Sequence, residues 1–286
     1  RAPAGRAGQA LGGARVRTSA RQFQAWLDRS DADLALLTTA LPTGPYPYAG
    51  IPWFSTPFGR DAIITALQTL WLKPSLARGV LAYLAAHQAR ETSAFHDAEP
   101  GKITHELRKG EMTAVGELPF GRYYGGVDST PLFVALAAAY ARRTADRSFV
   151  AEIWPSLVAA TAWILGNANR YGGFLSYARG QASGLANQGW KDSHDAIFHE
   201  DGRTPVGPIA LVEVQGYAVA ALQGMALLAT WLGHDAAVAP YAQAAEAWRE
   251  RVEARFWQED MQFYALALDG EGTPCRVYAS NPGHLL

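Results

Sequence analysis

The sequence contains a single cysteine, Cys275, among 286 residues. One thiol cannot form an internal disulfide, so a disulfide-stabilised scaffold and a Cys-x-x-Cys metal site are both excluded. A chain without disulfides is typical of a reducing compartment, and we therefore expect a cytoplasmic protein. Charged residues are also scarce, at 18% of the chain against the ~25% of an average globular protein.

The chain has almost no net charge, because its formal charge at pH 7 is −1. It therefore lacks the excess of basic residues that neutralises phosphates, and we expect no nucleic-acid partner. No uninterrupted apolar run reaches the ~18 residues that span a bilayer, so we expect no membrane partner. The P-loop, GxGxxG and GxSxG motifs are absent, and the seven histidines form no HExxH motif. We expect neither a metal nor an organic cofactor.

Apolar residues recur with helical spacing through most of the chain. Residues 1–18 lack this period and are predicted to form a linker or arm. The first helix is predicted to run from Phe23 towards Leu41, followed by a proline-rich loop over residues 42–57. Six more helices are predicted, with apolar faces that begin near Arg60, Pro74, Leu132, Phe149, Val214 and Val238.

The predicted helices come in pairs that are joined by short turns, such as residues 72–74 and 144–146. Long loops separate the pairs, as over residues 92–126 and 178–211, and loops of this length are usually functional. Short turns at one end place all the long loops at the other. A solenoid would give the same pairing with similar repeats, but these loops differ. The pattern favours an all-α fold, a closed (α/α) toroid of helical hairpins.

Aromatic and charged residues concentrate in these loops. Trp and Tyr rings stack on the apolar face of a sugar, while carboxylates, Arg, Lys and Gln bind its hydroxyls. The pattern therefore favours a carbohydrate cleft, with Trp53 among the stacking candidates. The segments are residues 52–61, 105–111, 123–130 and 187–195, with residues 213–217 as a weaker fifth.

A purely structural role remains open for some of these residues. Asp61, Asp128 and Glu213 lie at or near predicted helix starts, where acids complement the helix dipole. For Trp53 or Trp190 taken alone, a place in the core is an open alternative. The position of Trp190 beside Lys191 and Asp192, with Gly and Ser as neighbours, favours the wall of a cleft instead.

Four segments carry a resemblance to a known group of enzymes: "PWFSTPFGRDAIITALQTLW", "YYGGVDSTPLFVALAAAY", "NQGWKDSHDAIFHEDG" and "VEVQGYAVAAL". They resemble bacterial glycogen-debranching, amylo-α-1,6-glucosidase-like proteins. More distantly they resemble the (α/α)6-barrel inverting glycosidases that include glucoamylase and processing α-glucosidase I. The resemblance covers residues 20–286, and its motifs are specific for the group but not for a substrate.

The resemblance implies that residues 19–286 are the N-terminal portion of an (α/α)6-barrel catalytic domain, an incomplete barrel. It identifies Asp192 as the general acid and implies that the general base lies in the later half of the barrel, beyond residue 286. Lys191 is expected to point at a sugar hydroxyl. The residues that the resemblance places around the sugar are Arg60, Asp61, Glu106, Tyr124, Asp128, Trp190, Lys191, Gln215 and Tyr217.

The expected activity is hydrolysis, with inversion, of α-glucosidic linkages in glycogen or malto- and isomalto-oligosaccharides. A debranching α-1,6-glucosidase is favoured, and the expected partner is an oligosaccharide or polysaccharide. One alternative is a phosphorylase or transferase on the same barrel, in which Ser193 and His194 help to bind phosphate. A second alternative is a fragment that binds glycans without catalysis.

Overall fold

A computed structural model describes residues 13–191 and 193–285 of the chain. Helices dominate these residues, and the predicted all-α class is confirmed. Most of the predicted arm, 1–18, lies outside the described residues. The helices are α1 (Arg21–Leu37), α2 (Gly59–Thr69), α3 (Pro74–Ala86), α4 (Glu111–Ala114), α5 (Ser129–Thr144), α6 (Arg147–Arg170), α7 (Val212–Leu232) and α8 (Asp235–Phe256).

Six of the long helices form three antiparallel hairpins, α2–α3, α5–α6 and α7–α8. Each hairpin turns where the sequence interrupts a helix. Pro74 occupies the first turn of α3, where its missing N–H costs nothing. Asp146 begins α6 by accepting a hydrogen bond from Phe149 N, 3.2 Å away. Gly233 ends α7 with a φ of 84°, a conformation that favours glycine.

The hairpins pack side by side in two layers. Helix α5 lies between α2 and α7 in the first layer. Helices α3, α6 and α8 form the second layer, on the outer side of the first. A 3₁₀ helix, Asn281–Leu285, packs on the free side of α7 and continues the first layer. This arrangement shows the side-by-side helical hairpins that the pairing of helices predicts.

The helix starts of α2, α5 and α7 lie at one end of the hairpins, together with the long loops. Backbone hydrogen bonds connect these loops to one another, such as Gly59 N to His105 O at 2.8 Å and Val127 N to Gln188 O at 3.1 Å. The approach at Gly59 is close, because a Cβ there would lie 2.1 Å from the carbonyl oxygen of Thr104. The loops therefore form a packed layer above the helices.

The first predicted helix is four residues too long. Helix α1 ends at Leu37, and strand β1 (Thr38–Leu41) then pairs with β2 (Gly44–Pro47), inside the region predicted to be a loop. Two β-branched threonines at the start of β1 favour the extended form. Further short ribbons pair β3 (Ala210–Leu211) with β6 (Ala267–Leu268), and β4 (Trp257–Gln258) with β5 (Phe263–Tyr264).

Helices α6 and α7 are long and apolar enough to cross a membrane, by length and composition alone. Both are elements of the helical layers: α6 packs against α5 and α7, and α7 packs against α5 and α8. Core packing accounts for their composition. The core between the layers includes Phe133, Leu136, Phe149 and Trp248, all of which are almost completely buried.

Candidate active site

Three charged residues occupy equivalent places at the starts of the first-layer helices. Arg60 and Glu213 lie in the first turns of α2 and α7, and Asp128 directly precedes α5. Arg60 Nη1 lies 3.1 Å from Asp128 Oδ2 and donates to the carbonyl oxygen of Gly189 at 3.0 Å. One guanidinium therefore joins two helix starts to the 187–191 segment.

A cleft with a volume of about 620 Å³ opens beside this ion pair. Four predicted sugar-binding residues line it: Arg60, Asp61, Trp190 and Tyr217. Tyr48 and the apolar side of α1 close the opposite wall. The cleft thus combines aromatic rings with charged hydrogen-bonding groups, which is the surface that a pyranose requires.

His284, which the sequence analysis missed, completes the aromatic wall. Its ring centroid lies 5.4 Å from that of Trp190, and its Nδ1 is hydrogen-bonded to the Tyr217 hydroxyl at 2.5 Å. Lys191 Nζ lies 5.1 Å from the centre of the Trp190 ring. The Trp190 Nε1–H is buried and has no hydrogen-bond partner among the described residues.

Asp192, the predicted general acid, lies outside the described residues. Its chain neighbours are described: Lys191 is half-buried and Ser193 is exposed. The carbonyl oxygens of both neighbours accept hydrogen bonds from the side-chain amide of Asn187. The segment that carries position 192 therefore begins at the cleft wall formed by Trp190.

Glu213 is a further acidic group that the site list from the sequence omitted. Its side chain is 1% exposed, and Oε1 accepts a hydrogen bond from Asn281 Nδ2 at 2.8 Å. Oε2 has no partner among the described residues. The pKa of Glu213 is raised to about 7, chiefly by burial and to a smaller extent by the negative charge of Asp128. The hydrogen bonds from its own backbone N–H and from Asn281, and the positive charge of Lys191, oppose this rise. In the sequence, Glu213 was marked only by its place at a predicted helix start and in the weaker fifth segment, residues 213–217.

Gln215 is placed differently from the expectation that it lines the sugar site. Its side chain is completely buried between the helical layers. The amide exchanges hydrogen bonds with the backbone of Leu175 at 3.0 and 2.8 Å, donates to Leu211 O at 2.9 Å and accepts from Trp248 Nε1 at 3.2 Å. The side chain therefore has no surface towards the cleft and joins a loop to α7 and α8.

Tyr124 and Glu106 also lie away from the cleft walls. Tyr124 is 4% exposed, donates from its hydroxyl to His87 O at 2.7 Å and borders a separate concavity near His96. Glu106 is buried and paired with Arg108. Burial raises the pKa of Glu106, and the hydrogen bond from Arg108 opposes that shift. Both side chains are held by neighbouring loops.

Trp53 is 79% exposed and lines a second cavity of about 680 Å³. This cavity adjoins the cleft, because Tyr48 lines both. Its charged lining residues are Arg108, Lys109 and Arg122, without a carboxylate among them. The second cavity therefore combines an exposed indole with a positive wall.

No group of three or more His, Cys, Asp and Glu side chains is arranged to hold a metal ion within residues 13–191 and 193–285. The charged groups of the cleft are instead arranged around aromatic walls. Carboxyl groups in such a cleft can donate or accept protons, and the cationic groups can bind hydroxyl or carboxylate oxygens.

A structural comparison finds the same fold in a GH78 family rhamnosidase of Bacillus sp. GL1. The TM-score is 0.58 at 16% sequence identity, and the match covers 81% of this chain and 21% of that one. The chain thus spans about a fifth of the length of that rhamnosidase. A comparison with curated proteins finds no match.

A comparison with protein-family models shows to which family the chain belongs. The model of the mannosylglycerate hydrolase MGH1-like glycoside hydrolase domain matches residues 58–280, which is most of the chain. The matched region contains all three hairpins and every residue of the cleft except those contributed by α1, the Tyr48 region and His284. The chain therefore belongs to the MGH1-like glycoside hydrolase family, whose substrates are carbohydrates.

Proposed function

We propose that this domain belongs to an inverting glycosidase that cleaves α-glycosidic bonds with Asp192 as its general acid. The observation that carries the proposal is the cleft at the helix starts, where Arg60, Asp61, Trp190 and Tyr217 meet. In the sequence, position 192 follows Trp190 and Lys191 directly, and Trp190 lines this cleft.

Inversion requires two carboxyl groups on opposite faces of the sugar. A protonated acid donates to the leaving glycosidic oxygen while a carboxylate ~6.5–9.5 Å away activates a water. Asp192 would donate the proton. The general base, by the resemblance of the sequence to inverting glycosidases, would come from the later half of the barrel.

The favoured substrates are α-glucans, cleaved at α-1,6 branches or at the ends of malto- and isomalto-oligosaccharides. Trp190 supplies a ring for stacking on one glucose, and Lys191 and Arg60 supply donors for its hydroxyls. This choice rests on the sequence resemblance to amylo-α-1,6-glucosidase-like proteins.

A second substrate class is favoured by the cavity that adjoins the cleft. Arg108, Lys109 and Arg122 line it without a carboxylate among the lining residues, although Arg108 is paired with Glu106. Such a wall suits an aglycone with a carboxylate, and the name of the matching family contains mannosylglycerate, a glycoside of that kind. An α-mannoside with an acidic aglycone is therefore the second candidate.

A substrate panel tests these proposals on the full-length protein. Maltotriose, isomaltotriose and mannosylglycerate are each incubated with and without inorganic phosphate, and the anomeric form of the released sugar is followed by NMR. We expect the β anomer from an α-linked substrate, without any need for phosphate. Sugar phosphate as product would support the phosphorylase alternative, and binding without cleavage would support the glycan-binding alternative.

The variant Asp192→Asn tests the general acid. We expect kcat to fall by ~10²–10⁴ on the cleaved oligosaccharide, with KM nearly unchanged. The loss should be much smaller on the α-fluoride of the same sugar, because fluoride leaves without protonation. Equal losses on the two substrates would exclude Asp192 as the acid.

A further inference from the structure

The 3₁₀ helix Asn281–Leu285 packs on one face of α7 and carries His284 into the cleft wall. Glu213, Gly216 and Tyr217 share this face, because they lie three and four residues apart along α7. The Tyr217 hydroxyl is hydrogen-bonded to His284 Nδ1 at 2.5 Å. A Cβ on Gly216 would lie 3.3 Å from the carbonyl oxygen of His284, so the glycine lets the two helices approach closely.

The third contact joins Glu213 to Asn281, and both side chains are buried. Glu213 is 1% exposed and Asn281 is 0% exposed. Glu213 Oε1 accepts a hydrogen bond from Asn281 Nδ2 at 2.8 Å. The other oxygen of each group, Glu213 Oε2 and Asn281 Oδ1, has no hydrogen-bond partner within residues 13–191 and 193–285. Two unpartnered buried acceptors thus lie on two groups that one hydrogen bond already joins, and buried groups of this kind require an explanation.

A single proton satisfies both oxygens. A carboxylate only accepts hydrogen bonds, whereas a protonated carboxyl group carries one O–H donor. A proton on Glu213 Oε2 supplies the donor that Asn281 Oδ1 lacks, while Oε1 still accepts from Nδ2. A carboxylic acid and a primary amide that are joined in this way form a ring of two hydrogen bonds. Without the proton, both oxygens stay unsatisfied in a buried place, which destabilises the contact.

The other titratable and charged groups around Glu213 supply no donor to Oε2. In the part of the chain that the structure describes, these groups are Asp128, Lys191, Tyr177, Tyr217 and, beyond Tyr217, Arg60 and His284. The Tyr217 hydroxyl bonds to His284, and the Tyr177 hydroxyl donates to Asn187. Burial and the charge of Asp128 raise the pKa of Glu213 to about 7, against its hydrogen bonds and the charge of Lys191. Glu213 therefore holds a proton below neutral pH.

We infer that Glu213 is a positioning residue that shares a proton with Asn281 and thereby fixes His284 in the cleft wall. The inference rests on the proposed function only in that the cleft binds a sugar. Below neutral pH the ring of two hydrogen bonds holds the 3₁₀ helix on α7. Above neutral pH Glu213 loses its proton to solvent, its Oε2 and Asn281 Oδ1 repel each other, and the wall that carries His284 loosens. The cleft therefore binds its carbohydrate more weakly at alkaline pH.

Three variants separate the proton, the ring and the loss of a buried amide. In Glu213→Gln the new amide donates to Asn281 Oδ1 and accepts from Nδ2, so the ring persists at every pH. Asn281→Ala removes the ring. Asn167→Ala is the matched control, because Asn167 in α6 is 3% exposed and exchanges two hydrogen bonds with the Ser176 backbone, at 3.0 and 2.9 Å. The residues that line the cleft include neither Asn167 nor Ser176.

The first test measures KM of the full-length protein from pH 6 to pH 8.5 on the oligosaccharide that is cleaved in the panel. For the wild type, we expect KM relative to that of Glu213→Gln at the same pH to rise ~5–10-fold, as for the loss of one hydrogen-bonded contact. Asn281→Ala should show this increase already at pH 6. Asn167→Ala should stay within about 3-fold of the wild type, because it is remote from the cleft. Equal KM changes in Asn281→Ala and Asn167→Ala would overturn the positioning role.

A double variant tests whether Asn281 acts through His284. His284→Ala removes the group that the ring positions, and its KM should rise ~5–10-fold. Asn281→Ala/His284→Ala should then have the KM of His284→Ala alone, because residues that act through one another are not additive. Full additivity of the two changes would overturn the inference.

Hydrogen exchange of the free protein tests the same contact without a substrate. Amide protection over residues 278–285 in the wild type, relative to Glu213→Gln at the same pH, should fall between pH 6 and pH 8.5. A constant ratio in this measurement or in KM would overturn the inference, also if Asn281→Ala does not fold. Failure of the proposed function is seen separately, because the panel would then show no cleavage while hydrogen exchange still gives its result.

Discussion

Arg60 and Asp128 form a largely buried ion pair, with Nη1 and Oδ2 3.1 Å apart and side-chain exposures of 13% and 1%. The same guanidinium nitrogen donates to the Gly189 carbonyl. The pair therefore connects the starts of two first-layer helices with the turn that leads to position 192. A change at Asp128 should affect both the stability of the helical layer and the geometry of the cleft.

Asp128→Asn should lower the free energy of unfolding, by up to ~3 kcal/mol, because the largely buried guanidinium of Arg60 loses the charge of one of its partners. Urea unfolding at pH 7 measures this change. The exposed pair of Arg29 and Asp33 on α1 serves as a control, and Asp33→Asn should cause no measurable change. A silent Asp128→Asn would show that the pair contributes nothing to stability.

Gln215→Leu should destabilise the fold by ~3 kcal/mol or more. The substitution keeps the side chain buried but leaves the Leu175 N–H and the Trp248 Nε1–H without their acceptor, and each unsatisfied buried group costs ~1–3 kcal/mol. Denaturant unfolding gives the loss, and kcat/KM of the folded enzyme should stay within about 3-fold. A higher KM at full stability would instead restore a sugar-binding role.

The positions of Gln215 and Tyr217 show why the sequence predicted the fold better than the site. Helix α7 is apolar on both sides, since it packs between two layers, and its periodicity does not reveal which side meets the cleft. Glu213 and Tyr217 are one turn apart and share a face, whereas Gln215 points to the outer layer and bonds to Trp248. By contrast, the pairing of the helices could be predicted from the sequence, because short turns and Pro74 interrupt strong apolar periods.

Loop residues were the least predictable part of the site. Trp53 and Trp190 both follow a sugar-binding logic in the sequence, but Trp190 lines the cleft and Trp53 lines the neighbouring cavity. Their separation depends on contacts between distant loops, such as Arg108 Nη1 to Trp53 O at 3.3 Å. No local pattern encodes such contacts, so only the fold could assign these residues to their cavities.

Trp53→Ala should weaken binding of long substrates without affecting stability. The indole is 79% exposed, so the free energy of unfolding should change by less than ~0.5 kcal/mol. Loss of one stacking contact, worth ~1 kcal/mol, should raise KM about 5-fold for substrates that reach the second cavity. Trp71→Ala is the control, because Trp71 is 59% exposed in the α2–α3 turn at the opposite end of the hairpins. Equal KM changes in both variants would argue against binding in that cavity.

Glu213 should make the stability of the domain fall as the pH rises through neutrality. Its pKa is about 7 in the fold and 4.5 in the absence of burial, so the folded state binds the extra proton between those values. Stability is therefore fully present below about pH 4.5 and is lost as the pH rises towards 7, by ~1.4 kcal/mol for each unit of pKa difference. Glu213→Gln, which mimics the protonated carboxyl, removes this loss.

Urea unfolding of both proteins at pH 5, 6, 7 and 8 should show that the free energy of unfolding of the variant, relative to that of the wild type, increases at each step up to pH 8. Glu250→Gln is the control, because it removes the charge of an exposed glutamate on α8. Parallel pH curves for Glu213→Gln and the wild type would mean that Glu213 does not hold its proton in the folded protein, and its unpartnered oxygen would then require a cation or donor in the complete cleft.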